Sequence, residues 1–597
     1  MPVAVLLLLM LMFYIHNLYP AFNNDDSPET ITAAITLGIQ HPPGYPLYTM
    51  AGKIFYSIFR LPAAFGQNLF AAILAITALL YFYLLFISIK GTGAFFKITA
   101  LAGVAILGLS GPFFSQAISA KGGIYMLNLI FLALCLRSFF LSDAGAGEKE
   151  FNLLYFFSGL SMANHWQSAV LYAPLLMVFT AFKNLKSGEW KPFLKAVLFF
   201  FIGLTSYLYL LIRARSGAVM DNGAPAGIKQ LFEHILRSDY SGEFAPLTWP
   251  VIFFQAREFY RAVPASLFMM WPLAAAGLVM PFFGKAPAKK TWLILTGIFI
   301  LFSVSVILLF RRFQDSQCYY LPPLFLAGLT ACGALSSLLA MKKRLITAVL
   351  AIFTALSAAG QGYFSSERFS GRDNYLSYDY AMNIMKTAPS GSVYFAASAF
   401  DIMPLYYFNF VSVYKPDFKD VNSTFLAFAW GIKQFAEKFP PVEMTPGKPG
   451  LNTINAVRAL SRSFPCFCGF DNTAAAKTGL KYTQAGITLL TRPYAGPDNS
   501  GPFFDVFRLY SIRGVYNRFF LMDTDNFRMI SNYSGAESNY GNCLLGAGLT
   551  GRAIEAYTRA LELPYNGSKA GMIGNIFRAY KRAGIKDTRG VMLKQAK

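Results

Sequence analysis

Charged residues are scarce in this chain. They make up 14% of its 597 residues, while 55% are hydrophobic and 16% aromatic; an ordinary soluble domain is about a quarter charged. That shortage, with a mean hydropathy of +0.43, excludes a soluble protein of this length and points to a polytopic membrane protein. Marks of several common chemistries are also missing. There is no Walker-type loop, no Ser-His-Asp order and no His-Glu-x-x-His helix. Six cysteines are present without zinc-site spacing. Cys135, Cys318 and Cys332 fall in or beside apolar runs as small hydrophobes, and Cys466-Phe467-Cys468 reads as an incidental pair. The net charge of +22 does not signal nucleic acid, because the lysines and arginines sit largely in short connections between apolar runs.

What is present is a series of long apolar runs. They predict spans near 3–19, 69–89, 97–115, 123–141, 151–164, 168–182, 193–212, 262–283, 291–310, 318–340 and 344–361, about eleven transmembrane helices. The connections alternate in character. One set is basic: Lys90 and Lys97; Lys149; Lys183, Lys186, Lys191 and Lys195; Lys285, Lys289 and Lys290; Lys342, Lys343 and Arg344. Excess Lys and Arg marks the cytoplasmic side, so the amino terminus is expected inside and the acidic first loop outside. The first apolar run lacks a charged leading region and a small-residue cleavage site, and reads as a retained span. The expected location is the inner (cell) membrane, with the carboxy-terminal part outside the cytoplasm.

Composition changes near residue 362, where charge, Pro, Gly, Asn and Ser rise. Short β-rich pieces at Ser392–Ala396, Ile487–Thr491 and Phe504–Leu509 predict an α+β domain. Apolar residues at helical spacing after Ala547 resemble a tetratricopeptide (TPR) helix pair. The expected division is a transmembrane domain over 1–361, an extracytoplasmic α+β domain over 362–540 and a TPR-like end over 541–597. The scattered acids of the outer domain predict that it binds or orients an acceptor and carries none of the chemistry.

The most informative segment is the first loop, Asn23-Asn24-Asp25-Asp26-Ser27-Pro28-Glu29, followed by His41-Pro42-Pro43-Gly44-Tyr45-Pro46-Leu47. Carboxylates at the mouth of an apolar bundle can take a proton from an acceptor or hold a cation; Asp25 and Asp26 are the residues considered for a metal. The plainer reading is a helix start, with Ser27 as N-cap, Pro28 in the first turn and Glu29 near the positive end of the dipole. The proline run fixes φ at several positions of an irregular loop. Asn164-His165 at a helix corner, Arg213 at the end of a span, Asp315 in another outer loop and Lys121 in a tight turn add polar groups at the same boundary. Arg213 is the first choice for a phosphate, since guanidinium binds phosphate oxygens bidentately. Acids beside cations at the lipid–water boundary suit a substrate linked to a lipid phosphate.

The loop residues Asp26-Ser27-Pro28-Glu29, Leu37-Gly38 and His41-Pro42-Pro43-Gly44-Tyr45-Pro46-Leu47-Tyr48 resemble the signature Asp-Ser-Gly-Glu … His-Pro-Pro-Gly-Tyr-Pro-Leu. That signature belongs to a bacterial family of multi-spanning proteins whose animal relative is a protein O-mannosyltransferase. These proteins are similar to the GT-C glycosyltransferases, which use polyprenyl- or dolichyl-phosphate sugars. The chain departs from the pattern at Pro28, at Ala120-Lys121-Gly122-Gly123-Ile124-Tyr125 and before Gly223, where a tryptophan is usual. The resemblance implies an inverting membrane hexosyltransferase, with mannose the expected sugar. Its donor would be a polyprenyl phosphate and its acceptor a protein Ser/Thr or a glycan. Asp26 or Glu29 would be the catalytic acid, and His41, Tyr45, Lys121, His165, Arg213 and Asp315 would line the donor-phosphate and substrate site. No cofactor is assigned, and a divalent cation is an open option. The competing class is a non-enzymatic lipid-linked-glycan transporter or assembly scaffold; a transporter would carry its ionisable residues at mid-membrane depth.

Overall fold

Apolar runs become helices in lipid because every backbone N–H and C=O must find its partner inside the segment. The computed structural model describes residues 2–24, 26–186, 190–243, 247–283, 289–308, 316–340, 344–470, 472, 477–492, 505–564 and 570–582. The chain divides into two compact units, Met1–Tyr19 with Ala33–Arg372, and Pro20–Thr32 with Asp373–Lys597.

The first unit is helical. It contains α1 (Pro2–Asn17), the end of α2 (Ser27–Thr36), α3 (Pro46–Phe59), α4 (Ala63–Lys90), α5 (Ala94–Leu109), α6 (Gly111–Ala117), α7 (Gly122–Asp143) and α8 (Glu148–Ala169). There follow α9 (Ala173–Lys186), α10 (Trp190–Leu204), α11 (Leu208–Arg215), α12 (Ile228–Ile235) and α13 (Trp249–Leu267). The series ends with α14 (Trp271–Phe283), α15 (Lys289–Leu308), α16 (Leu321–Leu339) and α17 (Arg344–Phe369). Among the described residues six helices are long and apolar enough to cross a membrane, or up to eight if each of two bent pairs is one span. The unit is therefore a multi-pass membrane unit.

Several boundaries differ from those read in the sequence. The run expected over 97–115 is α5 and α6, bent by 70° where Gly111-Pro112 follows Ser110. Pro112 has no N–H to continue the helix but suits a first turn. The two helices expected over 151–164 and 168–182 are instead α8, broken inside at His165 (φ −153, ψ 84), and α9, which starts at Ala173. Residue 361 lies inside α17, and the unit ends at Arg372. Helices α3 and α12 have no counterpart among the expected spans, being too short and too mixed in polarity. Close approaches explain individual glycines in the bundle: a Cβ on Gly103 would lie 2.3 Å from Cys332 Sγ, so only glycine lets α5 meet α16 there.

The second unit holds a five-stranded sheet in the order β2-β1-β3-β5-β4. β1 (Val393–Ala396) runs parallel to β2 (Lys419–Asn422) and β3 (Cys466–Gly469). β5 (Thr488–Arg492) is antiparallel to β3 and to β4 (Lys481–Ala485). The third expected strand is absent from the described part of its range, where Val506–Leu509 forms a 3-10 turn. Cys466 and Cys468 are free and buried on β3, and burial pushes the Cys466 thiol up to about 12. Such thiols are inert. At the carboxy end, helices Thr524–Gly546, Thr550–Glu562 and Ala570–Arg582 follow one another, so the expected boundary at 540/541 falls inside the first of them.

The buried Glu537 joins two of these helices, pairing with Arg559 at 2.9 Å. Burial pushes Glu537 up to about 7, with Arg559 opposing and Asp505 adding to the rise. The folded carboxyl thus holds its proton more tightly than the unfolded one. Its contribution to stability is present below the ordinary glutamate range and is lost as pH rises through about 7. Thermal unfolding of the full chain is expected to weaken between about pH 4.5 and 7, and Glu537→Gln is expected to flatten that slope.

Candidate functional site

Helix α2 lies across the division between the units, so residues 26–41 are one continuous stretch of chain. α2 begins at Ser27, and Asp26 takes the capping position ahead of it, its carbonyl accepting from Thr30 N at 2.9 Å. The sequence had pointed to Ser27 as the cap. Glu29 is 0% exposed in the first turn. Asp26 and Glu29 fall in the second unit and His41 in the first, and carboxylates and imidazoles are residue types that ligate divalent cations. Asp25, the other residue considered for a metal, lies outside the described residues, as does Asp315.

The stretch after α2 is pinned by its backbone. Leu37 is left-handed (φ 54), and its carbonyl accepts from Arg213 Nε at 2.7 Å. Gly38 O accepts from Tyr209 Oη at 2.9 Å. Ile39 pairs with Asp221 in a single parallel bridge, with Ile39 N donating to Met220 O at 2.8 Å. Arg213 therefore has one guanidinium nitrogen on the loop, and its Nη1 donates to Ser216 Oγ at 3.2 Å. Gly44 has φ +91, and a Cβ there would lie 2.8 Å from Leu210 Cδ2 and 3.0 Å from His234 Nε2.

The pinned loop presents Tyr45 to a nest of cations and rings. Lys121 Nζ stands 4.2 Å over the Tyr45 ring, and the residue is 1% exposed. The His165 ring stacks on Tyr45 at 5.9 Å with 11° between planes. Tyr125 and Tyr319 lie 5.2 and 6.0 Å from the same imidazole, and His41 lies 5.8 Å from Tyr45. His165 Nδ1 meets Ser168 Oγ at 3.0 Å, while Nε2 is buried without a hydrogen-bond partner. The helix break at this residue is itself bonded: Asn128 Nδ2 donates to His165 O, and Asn164 Nδ2 to Ile124 O, both at 2.9 Å. The Lys121-Gly122-Gly123 turn fits closely, since a Cβ on Gly123 would lie 2.5 Å from Tyr48 Oη, which donates to Ala120 O.

His41, Tyr45, Lys121 and His165 thus come together, and Arg213 supports the loop beside them. Two residues that the sequence reading did not select also belong here. Arg237, left-handed at φ 60, stands 5.3 Å over Tyr240, whose ring is 6.3 Å from His41. His234 is buried, and burial first, then the charges of His41 and Arg237, push it down to about 3. It is therefore neutral at physiological pH. Neither residue lies in a recognisable motif; the one available signal was the left-handed position that closes α12.

The profile of the family described as "Protein O-mannosyl-transferase TMEM260 N-terminal domain" matches residues 26–189. The chain is 23% identical over 453 residues to Protein O-mannosyl-transferase TMEM260 of Mus musculus, covering 71% of this chain and 62% of the relative. It is 24% identical over 240 residues to Protein O-mannosyl-transferase tmem260 of Dictyostelium discoideum, covering 37% of this chain and 29% of that one. The chain thus spans less than two thirds of the length of either relative. The crystal structure of ArnT from Cupriavidus metallidurans bound to undecaprenyl phosphate superposes with a TM-score of 0.54 at 12% identity, covering 83% of this chain and 98% of ArnT. The chain has the ArnT fold. Its architecture is that of a polytopic helical membrane protein, and its sequence is related to the animal protein O-mannosyl-transferase.

Gly44→Ala would put a Cβ into Leu210 at a backbone angle that L residues rarely adopt. It is expected to destabilise the first unit by about 1–3 kcal/mol, read as a lower melting temperature of the purified chain in detergent.

Proposed function

We propose that this chain is a membrane glycosyltransferase. It moves a hexose, mannose by its likeness to the O-mannosyl-transferases, from a polyprenyl-phosphate donor to a protein Ser/Thr or a glycan hydroxyl. One observation carries the reading: on one continuous stretch of chain the carboxylates Asp26 and Glu29 precede His41 and Tyr45, and Tyr45 packs against the buried Lys121 ammonium and the His165 imidazole. A carboxylate and a phosphate-binding cation are what this transfer needs, whereas a transporter would carry its ionisable residues at mid-membrane depth. The acceptor hydroxyl oxygen forms a bond to the sugar's C1 as the bond from C1 to the phosphate oxygen breaks. The hydroxyl proton passes to Asp26, with Glu29 supporting it, and polyprenyl phosphate leaves as an anion. Lys121, His165 and Arg237 stabilise that anion, while Arg213 holds the loop. Asp25 and Asp315 remain parts of the same proposal. The orientation argued from the basic connections places the transfer outside the cytoplasm, with about eleven passes and a TPR-like carboxy end.

A second reading rests on the same acids. Asp26 and Glu29, both in the second unit, would hold a divalent cation, which would supply positive charge to the departing phosphate.

Asp26→Asn is expected to lower transfer from a synthetic polyprenyl-phosphate mannose to a Ser/Thr peptide by about 10²–10⁴-fold. The protein should stay folded and inserted. Unchanged transfer in the Asp26→Asn/Glu29→Gln double variant would sink the assignment. The wild-type assay repeated after EDTA separates the two readings: full activity rules the cation out. Arg237→Ala is expected to weaken donor binding roughly ten- to a hundredfold, the worth of a charged hydrogen bond. Arg213→Ala should act mainly through the loop's stability, and equal donor affinities in wild type and Arg237→Ala would remove Arg237 from the site.

A further inference from the structure

The stretch of chain just ahead of Asp26 has no helix or strand to hold it among its described residues. Its side chains do so instead. Phe22 is 0% exposed, with the rings of Tyr407, Tyr378 and Phe408 at 5.1, 5.7 and 6.3 Å. Asn24, also buried, donates from Nδ2 to Asp523 Oδ1. That oxygen simultaneously caps helix Thr524–Gly546, accepting from Asp525 N and Asn526 N at 2.9 Å each. Asp525, in the first turn of the same helix, is in electrostatic contact with Asp26. These contacts place residues 20–32 in one compact unit with residues 373–597.

We infer that Phe22 and the Asn24–Asp523 hydrogen bond form a tether that positions Asp26, so that the carboxy-terminal part of the chain sets the geometry of the transfer step. This rests on Asp26 being the base. A general base must sit within hydrogen-bond reach of the proton it takes, and a misplacement of about 1 Å can cost about a hundredfold in rate. Phe22 fixes the stretch by burial and Asn24 fixes its direction by a charge-assisted bond. From Asn24 to the first turn of α2 is a few residues, so little slack is left for Asp26. The carboxy-terminal part, read from sequence as an acceptor-orienting domain, therefore acts on every acceptor alike.

Three variants of the full chain test the tether. Asp523→Ser keeps a helix cap but shortens the side chain away from Asn24. Asn24→Ala removes the donor, and Asp523→Asn retains both the cap and an acceptor oxygen. In the first two, hydrogen–deuterium exchange of peptides covering residues 20–32 is expected to rise about tenfold, while peptides from 524–546 stay protected. With the mannose donor and peptide, kcat should fall about tenfold at unchanged donor KM, on the scale of a small misplacement. Asp523→Asn should behave as wild type, and the Asn24→Ala/Asp523→Ser double variant should lose no more than either single one. Unchanged exchange at 20–32 in both Asp523→Ser and Asn24→Ala overturns the tether, whatever the activity. Raised exchange with unchanged kcat overturns its positioning role. Asp26→Asn is measured alongside, and full transfer there condemns the base assignment while the exchange data still decide the tether.

Discussion

The packing of Tyr45 against Lys121 and His165 depends on the backbone of residues 37–45 being held still. The stretch has no regular structure beyond one bridge, and its neighbours complete it. The carbonyls of Leu37 and Gly38 are taken by Arg213 and Tyr209, and Ile39 is bonded on both sides to the 220–222 strip. Buried backbone groups left unpaired would each cost free energy comparable to a lost hydrogen bond. The left-handed turn at Gly44 and Tyr45 then aims the tyrosine ring at Lys121 and His165. By giving its Nε to the Leu37 carbonyl, Arg213 contributes to the geometry of the loop.

Burying a lysine beside a histidine is costly unless an aromatic face or an anion offsets it. Here Tyr45 supplies the face, at 4.2 Å from the ammonium. An incoming phosphate would add the anion in a setting of low dielectric, where its interaction with the cations is stronger than in water. The neutral state of His234 fits the same economy of charge, because burial disfavours an imidazolium there. The glycines at 122, 123 and 223 complete the arrangement by letting backbone and rings approach where a Cβ would collide.

The second unit is tied to the chemistry through the chain itself. Residues 20–32 leave the first helix, enter the second unit's packing at Phe22 and return as α2. Asp26 stands at the start of α2, where the helix dipole favours a carboxylate and the charge of Asp525 opposes one.

The membrane class of this protein was legible in composition alone, because lipid leaves helices as the economical way to bury backbone. Long uniform runs such as α4, α7 and α16 were found within a few residues of their ends. The acidic loop and the His-Pro-Pro-Gly-Tyr-Pro run were legible as a candidate site because a helix start accounts for Ser27, Pro28 and Glu29 but not for the proline run. What local pattern could not carry was the partner of each polar group. The break of α8 at His165, the assignment of Arg213 to a carbonyl and the arrival of Arg237 and His234 from α12 arise from contacts between distant segments. The tether of Asn24 to Asp523 is of the same kind. Sequence by itself determined that this chain lies in a membrane and which loop bears its acids, since solvent and backbone hydrogen bonding act on each segment locally. Only the tertiary structure decided which cations meet that loop and what holds the acid in place, since those depend on packing between segments whose separation along the chain erases any periodic signal.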